Sequence, residues 1–585
     1  MRRHRTGLDP RTQCWLLAAL LFLAAGCADN CENPGPDDSG SGPTDGASGS
    51  DAAAAPDAGT ADAATPDAGG TDTSGAACEI ATGGTIIATA TSGHIIGIAA
   101  LYSRPDSNQK LLTYQVEQDT ALGVAVFDGT AFGTAATLHA PAESLGFGGA
   151  VDTCMAGPSG RPIIAIDGAD ADGFRNYVAV GDGAGGYQQA VLVEDEPATS
   201  FTMAPSFVAC SKEYDRAFVI TPRYTGTMWV VSWDGTSLSA PQQIVATGWE
   251  LENWYVPQFT AGGRAVMPYY VHDDTVTTRE LRAIALTASG LSTSTLLMTE
   301  NIANPIFPNT GLLYTAASPH ADWGLILFTD VSNSYQVIKY NADAFSAAEP
   351  IDAARQAEAR ARAVFFPTVD KAFIYYQVRS GDFRGTFHNG TALSATATIG
   401  HRGDLTSFHD PFLRFLPSPF SEAGLVTWGG DDTGLNLVTV TGETFGAPVV
   451  VNNDPGYCTM FPQYAAGNGD PVLLVYDELT TQDDVAVYAR TWTGGQLGPQ
   501  VPMSCPESPD YGMGDFSVYS AGSDRFAVLN GYGGTLESGQ TIRLFTGGTP
   551  VRGLVYQDAI VEIRPVGDKF LVVHSAGGVL AFDLL

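Results

Sequence analysis

Carboxylates dominate the residues with chemical potential in this chain. Between Asp167 and Asn176 the order is Asp-Gly-Ala-Asp-Ala-Asp-Gly-Phe-Arg-Asn. Oxygen side chains at Asp167, Asp170 and Asp172, followed by a glycine, have the alternation with which a loop wraps a hard cation, and calcium is the cofactor such a loop implies. Gly168 falls where a ligand is wanted, and an ordinary Asp-Gly turn is the alternative. Further acids stand at Asp273-Asp274, Asp431-Asp432, Asp477-Glu478 and Asp483-Asp484. Neighbouring carboxylates on a strand point to opposite faces, so these pairs converge only where they sit in loops. Trp249 and Trp254 flank Glu250 and Glu252. Such rings cover the apolar faces of a sugar while the acids accept its hydroxyl hydrogens; loop packing is the competing reading. Two carboxylates flanking a glycosidic bond would make a hydrolase, but the acids are too many to single out a pair. The chain has no Gly-x-Ser-x-Gly elbow, no His-Glu-x-x-His helix and no phosphate-binding loop. Its nine histidines are scattered singly, which argues against zinc.

The formal net charge is -34, and only eleven carboxylates and four basic residues precede Cys78, so the acidity belongs mostly to the folded part. A surface of this sign repels phosphates and releases no counterions, which argues against a nucleic-acid partner. Cations, basic proteins and polyhydroxylated ligands stay open, beside the plain role of keeping the protein soluble.

The elements that must position these groups are short strands. Gly (67) and Pro (34) are abundant and helix-favouring runs are scarce. A hairpin recurs along the body: a β-rich strand, a turn, and a second strand. Its clearest turns are Asp128-Gly129-Thr130, Asp234-Gly235-Thr236 and Asn389-Gly390-Thr391, with degenerate copies at Gly185-Gly186, Ser289-Gly290, Asn341 to Asp343, Gly442-Glu443, Gly494-Gly495 and Gly547-Gly548. Asn, Asp and Gly tolerate the positive φ that such turns need. A second strand pair precedes each hairpin, so every unit of about fifty residues holds four strands, which predicts an all-β fold of β-propeller blades. The last unit has only three strands, in VEIRPVG, KFLVVHSA and GVLAFDLL. GGTIIATAT from the start of the body supplies a fourth and closes the ring. The count is about ten units, in one large ring or two smaller propellers. In such blades the loop between strands two and three shares a face with the loop joining one blade to the next, and the acids gather there.

The recurring turn resembles the Asp-box of sialidase-like propellers and the repeats of the kelch and FG-GAP families, although no copy keeps the full Ser-x-Asp-x-Gly-x-Thr-Trp pattern. The FG-GAP resemblance implies calcium at Asp167, Asp170 and Asp172. A sialidase-like resemblance implies arginines on inner strands to hold a substrate carboxylate, and Arg362, Arg414 and Arg564 fall on predicted first strands; ion pairing between blades is the alternative.

Three segments are expected. Residues 1–26 have Arg2, Arg3, Arg5 and Arg11 before the apolar run Trp15 to Ala25, too short for a comfortable membrane span and flanked like a signal peptide. Leu23-Ala24-Ala25-Gly26-Cys27 resembles the lipobox of bacterial lipoproteins, with the leucine one place early, and implies lipidation at Cys27. Ala28 carries no retention signal of the Asp type, which by the same resemblance implies the outer membrane. Residues 27–77 then form a tether of Asp, Ala, Gly, Pro, Ser and Thr that lacks the apolar groups to offset its ordering entropy. Its end-to-end span is about 40 Å. Residues 78–585 are the propeller. Six cysteines remain once Cys14 is cleaved and Cys27 lipidated, and an oxidising compartment suits them. Cys154 with Cys210 and Cys458 with Cys505 occupy matching positions in consecutive units and pair across blades; Cys31 with Cys78 would close a loop around the tether.

These features point to a binding or interaction protein of the cell envelope, anchored to the membrane by lipid and facing either the periplasm or the exterior. Its acidic, aromatic loop face would engage a glycan or protein. A carbohydrate-active hydrolase or lyase is the second reading.

Overall fold

The computed structural model describes residues 78–585 except 82, 90–99, 104–106, 117–120, 140–143, 171–172, 183–185, 188–190, 194–205, 223–226, 246–249, 274–277, 288, 302–312, 342–343, 353–360, 402–412, 431–433, 453–459, 466–468, 480–484, 504–514, 532–539, 558 and 577–578. Ten small antiparallel sheets follow one another along the chain. Nine are continuous in sequence: blade 1 (100–139), blade 2 (144–192), blade 3 (207–243), blade 4 (250–301), blade 5 (314–350), blade 6 (362–401), blade 7 (414–452), blade 8 (460–502) and blade 9 (515–556). Blade 10 takes its inner three strands from Ala559–Val566, Lys569–Ala576 and Val579–Leu584. Its outer strand is Thr85–Thr89, which pairs antiparallel with Val579–Leu584. The closure expected from the incomplete last unit is therefore present. A further short strand, Cys78–Ile80, lies parallel to Thr549–Tyr556 on the outside of blade 9.

The second strand of each blade is apolar on both faces because a neighbouring blade covers each face. In blade 3, Ala217–Pro222 is wholly buried. Ala217 and Val219 pack towards blade 2, with Ile163, Ala165 and Val178, whereas Phe218 and Ile220 pack towards blade 4, with Met267, Tyr269 and Ile284. A period of two thus serves two different cores. Every junction has one such wedge, including the last, where Leu101, Leu112 and Phe127 of blade 1 meet Leu571, Val573 and Phe582 of blade 10. The unbroken circle of wedges makes one ring of ten blades and rules out the pair of smaller propellers.

Aromatic residues help fill several wedges. Tyr269, Phe328, Tyr376, Trp428 and Tyr476 sit near the end of the second strands of blades 4 to 8, all buried, and all packed towards the preceding blade. Each such ring buried contributes about 1.5–3 kcal/mol. The outer strand is interrupted in blades 4, 5, 7 and 8, where two short pieces pair with the same third strand.

The three clearest turns share one geometry. Asp128 Oδ1 accepts from Thr130 N and Oγ1 (both 2.8 Å) and Ala131 N (3.0 Å). Asp234 and Asn389 repeat the set on Thr236 and Ser237, and on Thr391 and Ala392. These backbone donors, first among the causes, hold the Asp128 and Asp234 carboxyls below their usual range. Gly235 and Gly390 have φ of 98° and 84°, which a side-chain-bearing residue adopts only with strain.

Candidate functional site

The strand order gives the ring two unlike faces. The hairpins joining strands one and two, and three and four, lie on a lower face; the loops joining strands two and three, and the connections between blades, lie on an upper face. The upper ends of the second and third strands bring Asp167 and Asp170 of blade 2, Asp273 of blade 4, Asp330 of blade 5, Asp382 of blade 6 and Asp477 of blade 8 to one side of the ring. This is the face on which the loop acids are expected.

Where side chains are described there, the acids bond close to home. Asp330 accepts from Ser332 N and Ser334 N (2.9 Å each) and Gln336 Nε2 (2.8 Å), bracing its own loop. Asp382 lies 2.9 Å from His401 Nδ1 and accepts from Ser380 Oγ at 3.0 Å. Asp167 Oδ1 accepts from Asn176 Nδ2 at 2.5 Å. Asn176 also donates to Ser206 Oγ (2.7 Å), which in turn lies 2.9 Å from Thr221 Oγ1. Asp167 therefore heads a polar chain that crosses from blade 2 to blade 3. The side chains of its companions Asp170 and Asp172 lie outside the described residues, as do those of Asp273, Asp274, Asp431, Asp432, Asp477 and Trp249. Among the described residues no cluster of three or more His, Cys, Asp or Glu could hold a metal.

Trp254 is half-buried, with its ring edge-on to Phe207 of blade 3 at a centroid distance of 4.9 Å. Its contact is thus a packing one between blades. Arg362 and Arg414 begin the inner strands of blades 6 and 7, opposite Tyr375 and Thr427, so both hold the same level of the inner wall. Arg564, on the inner strand of blade 10, is 2.6 Å from Glu562.

Cys154 and Cys210 form a disulfide between the inner strands of blades 2 and 3, with Cα atoms 5.8 Å apart. Cys78 is also disulfide-bonded, to a partner outside the described residues, and Cys458 and Cys505 lie outside them.

Sequence reasoning overlooked a second set of acids on the lower face. Each stands just before a second strand and reaches the previous blade. Asp215 Oδ1 accepts from Ser159 Oγ at 2.6 Å and Ser159 N at 3.2 Å. Asp322 accepts from Thr260 Oγ1 and pairs with Arg264 Nε, both at 2.6 Å. Asp370 accepts from Ser318 Oγ at 2.5 Å and Trp323 Nε1 at 2.9 Å. Glu422 pairs with Lys371 Nζ at 2.5 Å. Asn108 of blade 1 does the same for the closing junction, accepting from Gly567 N at 3.0 Å. The signal was available. Aligning the repeats on their apolar second strands puts an acid in register at Asp215, Asp322, Asp370, Glu422, Asp470, Asp524 and Asp568.

The chain matches no protein-family profile and no curated protein. Among solved structures it is similar to the BP39L lectin from Burkholderia pseudomallei, with 16% identity over 60% of this chain and 99% of the lectin and a TM-score of 0.30. It is similar to the WD40 domain of SCAP from fission yeast, with 10% identity over 74% and 93% of the two chains and a TM-score of 0.34. It is also similar to the dihydro-heme d1 dehydrogenase NirN, with 15% identity, 69% and 75% coverage and a TM-score of 0.35. Identities and scores this low carry no activity across.

Proposed function

We propose that this protein is a non-enzymatic binding propeller whose upper loop face engages a glycan or a protein, and that a lipid on Cys27 holds it at the outer membrane of the cell envelope. The observation that supports this reading is the sorting of the acids. On the lower face Asp215, Asp322, Asp370 and Glu422 are engaged in joining blades, whereas the upper strand ends gather Asp167, Asp170, Asp273, Asp330, Asp382 and Asp477 from five blades beside loops of differing sequence. A scaffold that repeats and loops that do not are the usual division of labour between fold and function. Acids distributed around a rim suit several hydroxyl or cationic contacts better than one focused reaction.

A glycan array probed with the full chain, with and without a chelator, tests the reading. Retention of particular glycans without turnover supports it, and loss of retention on chelation adds calcium at the loop of Asp167, Asp170 and Asp172. Glycan cleavage would replace it with the hydrolase reading. Labelling of the intact cells with a lipid precursor, and its loss in Cys27→Ser, tests the anchor separately.

A further inference from the structure

Asp152 lies on the inner strand of blade 2, opposite Ala165 of the second strand. Its Oδ2 accepts from Val208 N of blade 3 at 2.7 Å, and its Oδ1 from Thr153 N at 2.8 Å. The Tyr102 hydroxyl of blade 1 donates to the same carboxyl group. One side chain thus gathers the inner strands of three consecutive blades. Two residues further on, the disulfide of Cys154 and Cys210 joins two of those same strands.

The surroundings of Asp152 hold no compensating cation among the described residues. Blade 3 offers backbone and the disulfide, the second strand offers Ala165, and blade 1 offers the Tyr102 phenol. Behind Tyr102 stands Glu562 of blade 10, a group of the same sign as Asp152, paired with Arg564 and accepting from Tyr519 Oη. Asp152 is half-buried, and the loss of hydration disfavours its charged form by more than its three hydrogen-bond donors favour it. Burial accordingly pushes Asp152 up to about 6, and raises Glu562 for the same reason. Tyr102 is raised by burial first and by the Asp152 charge second.

We propose that Asp152 is a proton-sensitive clasp of the inner wall: it takes up a proton in mildly acidic surroundings, and the inner strands of blades 1 to 3 are then held more tightly than at neutral pH. The direction follows from linkage. A carboxyl group that binds its proton more readily in the folded chain than in the unfolded one contributes stability that is complete below the unfolded pKa of about 4 and is lost as pH rises through the folded one. On protonation the hydroxyl of Asp152 donates to Tyr102, which reverses that bond, and the other oxygen still accepts from a backbone amide.

Hydrogen exchange of the full-length protein tests this locally. After correction for intrinsic rates, amides of the strands around Asp152 and Val208 are expected to be protected more strongly at about pH 5 than at about pH 7.5, by about 10-fold. Asp152→Asn abolishes this pH dependence. Tyr102→Phe, which removes a donor to the carboxylate and leaves the fold's apolar contacts in place, moves its midpoint to higher pH. Equal protection at both pH values, a dependence that survives Asp152→Asn, or a midpoint unmoved by Tyr102→Phe would each overturn the proposal.

Discussion

The lower and upper faces of the ring use the same residue types for opposite ends. On the lower face an acid stands at a fixed place in seven of the ten repeats, and four of these reach one blade back, Asp215 to Ser159, Asp322 to Arg264, Asp370 to Trp323 and Glu422 to Lys371. On the upper face Asp330 and Asp382 bond within their own blade. Where an upper loop is tied to its neighbour, it is by a buried group: Glu300 pairs with Arg279 at 2.5 Å and accepts from Val331 N at 3.0 Å. The acid just before a second strand therefore serves as a joint between blades, whereas the described upper-face acids brace their own blades. Counting carboxylates without their register would have merged the two.

Four variants can break or sharpen this contrast. The largest effect is expected from Glu300→Ala, because Arg279, fully buried over the Tyr270 ring, would lose its bidentate Glu300 contact and Val331 N its acceptor. Loss of about 3–5 kcal/mol is expected, read from urea unfolding; a change below about 1 kcal/mol would show that the pair is not needed there. Asp370→Ala comes next. It deprives Trp323 Nε1 and Ser318 Oγ of their acceptor between blades 5 and 6, and about 1–3 kcal/mol should be lost. If the lower face is a set of joints, Glu422→Gln follows with less, about 0.5–1 kcal/mol, since the Lys371 pair is partly exposed and salt screens it. The smallest stability effect belongs to the upper face. Asp431→Asn with Asp432→Asn should stay within about 0.5 kcal/mol while weakening whatever the loops bind. A large loss of stability there would move those acids into the class of joints.

Much of the architecture was legible because it is encoded locally. The turns at Asp128, Asp234 and Asn389 announce themselves through residues that suit positive φ and cap their own loop. The apolar second strands and their spacing give about ten units, and a three-strand last unit calls for a strand from the start of the body, found at Thr85–Thr89; that the units close in one ring shows only in the packing of blade 1 on blade 10. The joints were harder to see because each contact spans some fifty residues and depends on how two blades are set side by side. Asp215 and Ser159 lie 56 residues apart, as do Asp152 and Val208. Nothing within one repeat says that Asp370 will meet a tryptophan of the blade before it. Likewise only the fold reveals Phe207 against the Trp254 ring. Cys154 and Cys210 were legible across that distance because equivalent positions in adjacent repeats are neighbours in a propeller.

The division between joints and binding loops is tested most directly by one paired measurement: glycan-array retention and melting temperature of the full chain carrying either the upper set Asp273→Asn, Asp274→Asn, Asp431→Asn and Asp432→Asn, or the lower set Asp215→Asn and Asp370→Asn. The upper set should lose retention and melt like the parent, and the lower set should melt earlier and keep retention while folded. Retention that survives the upper set, or a melting temperature lowered by it as far as by the lower set, would contradict the account.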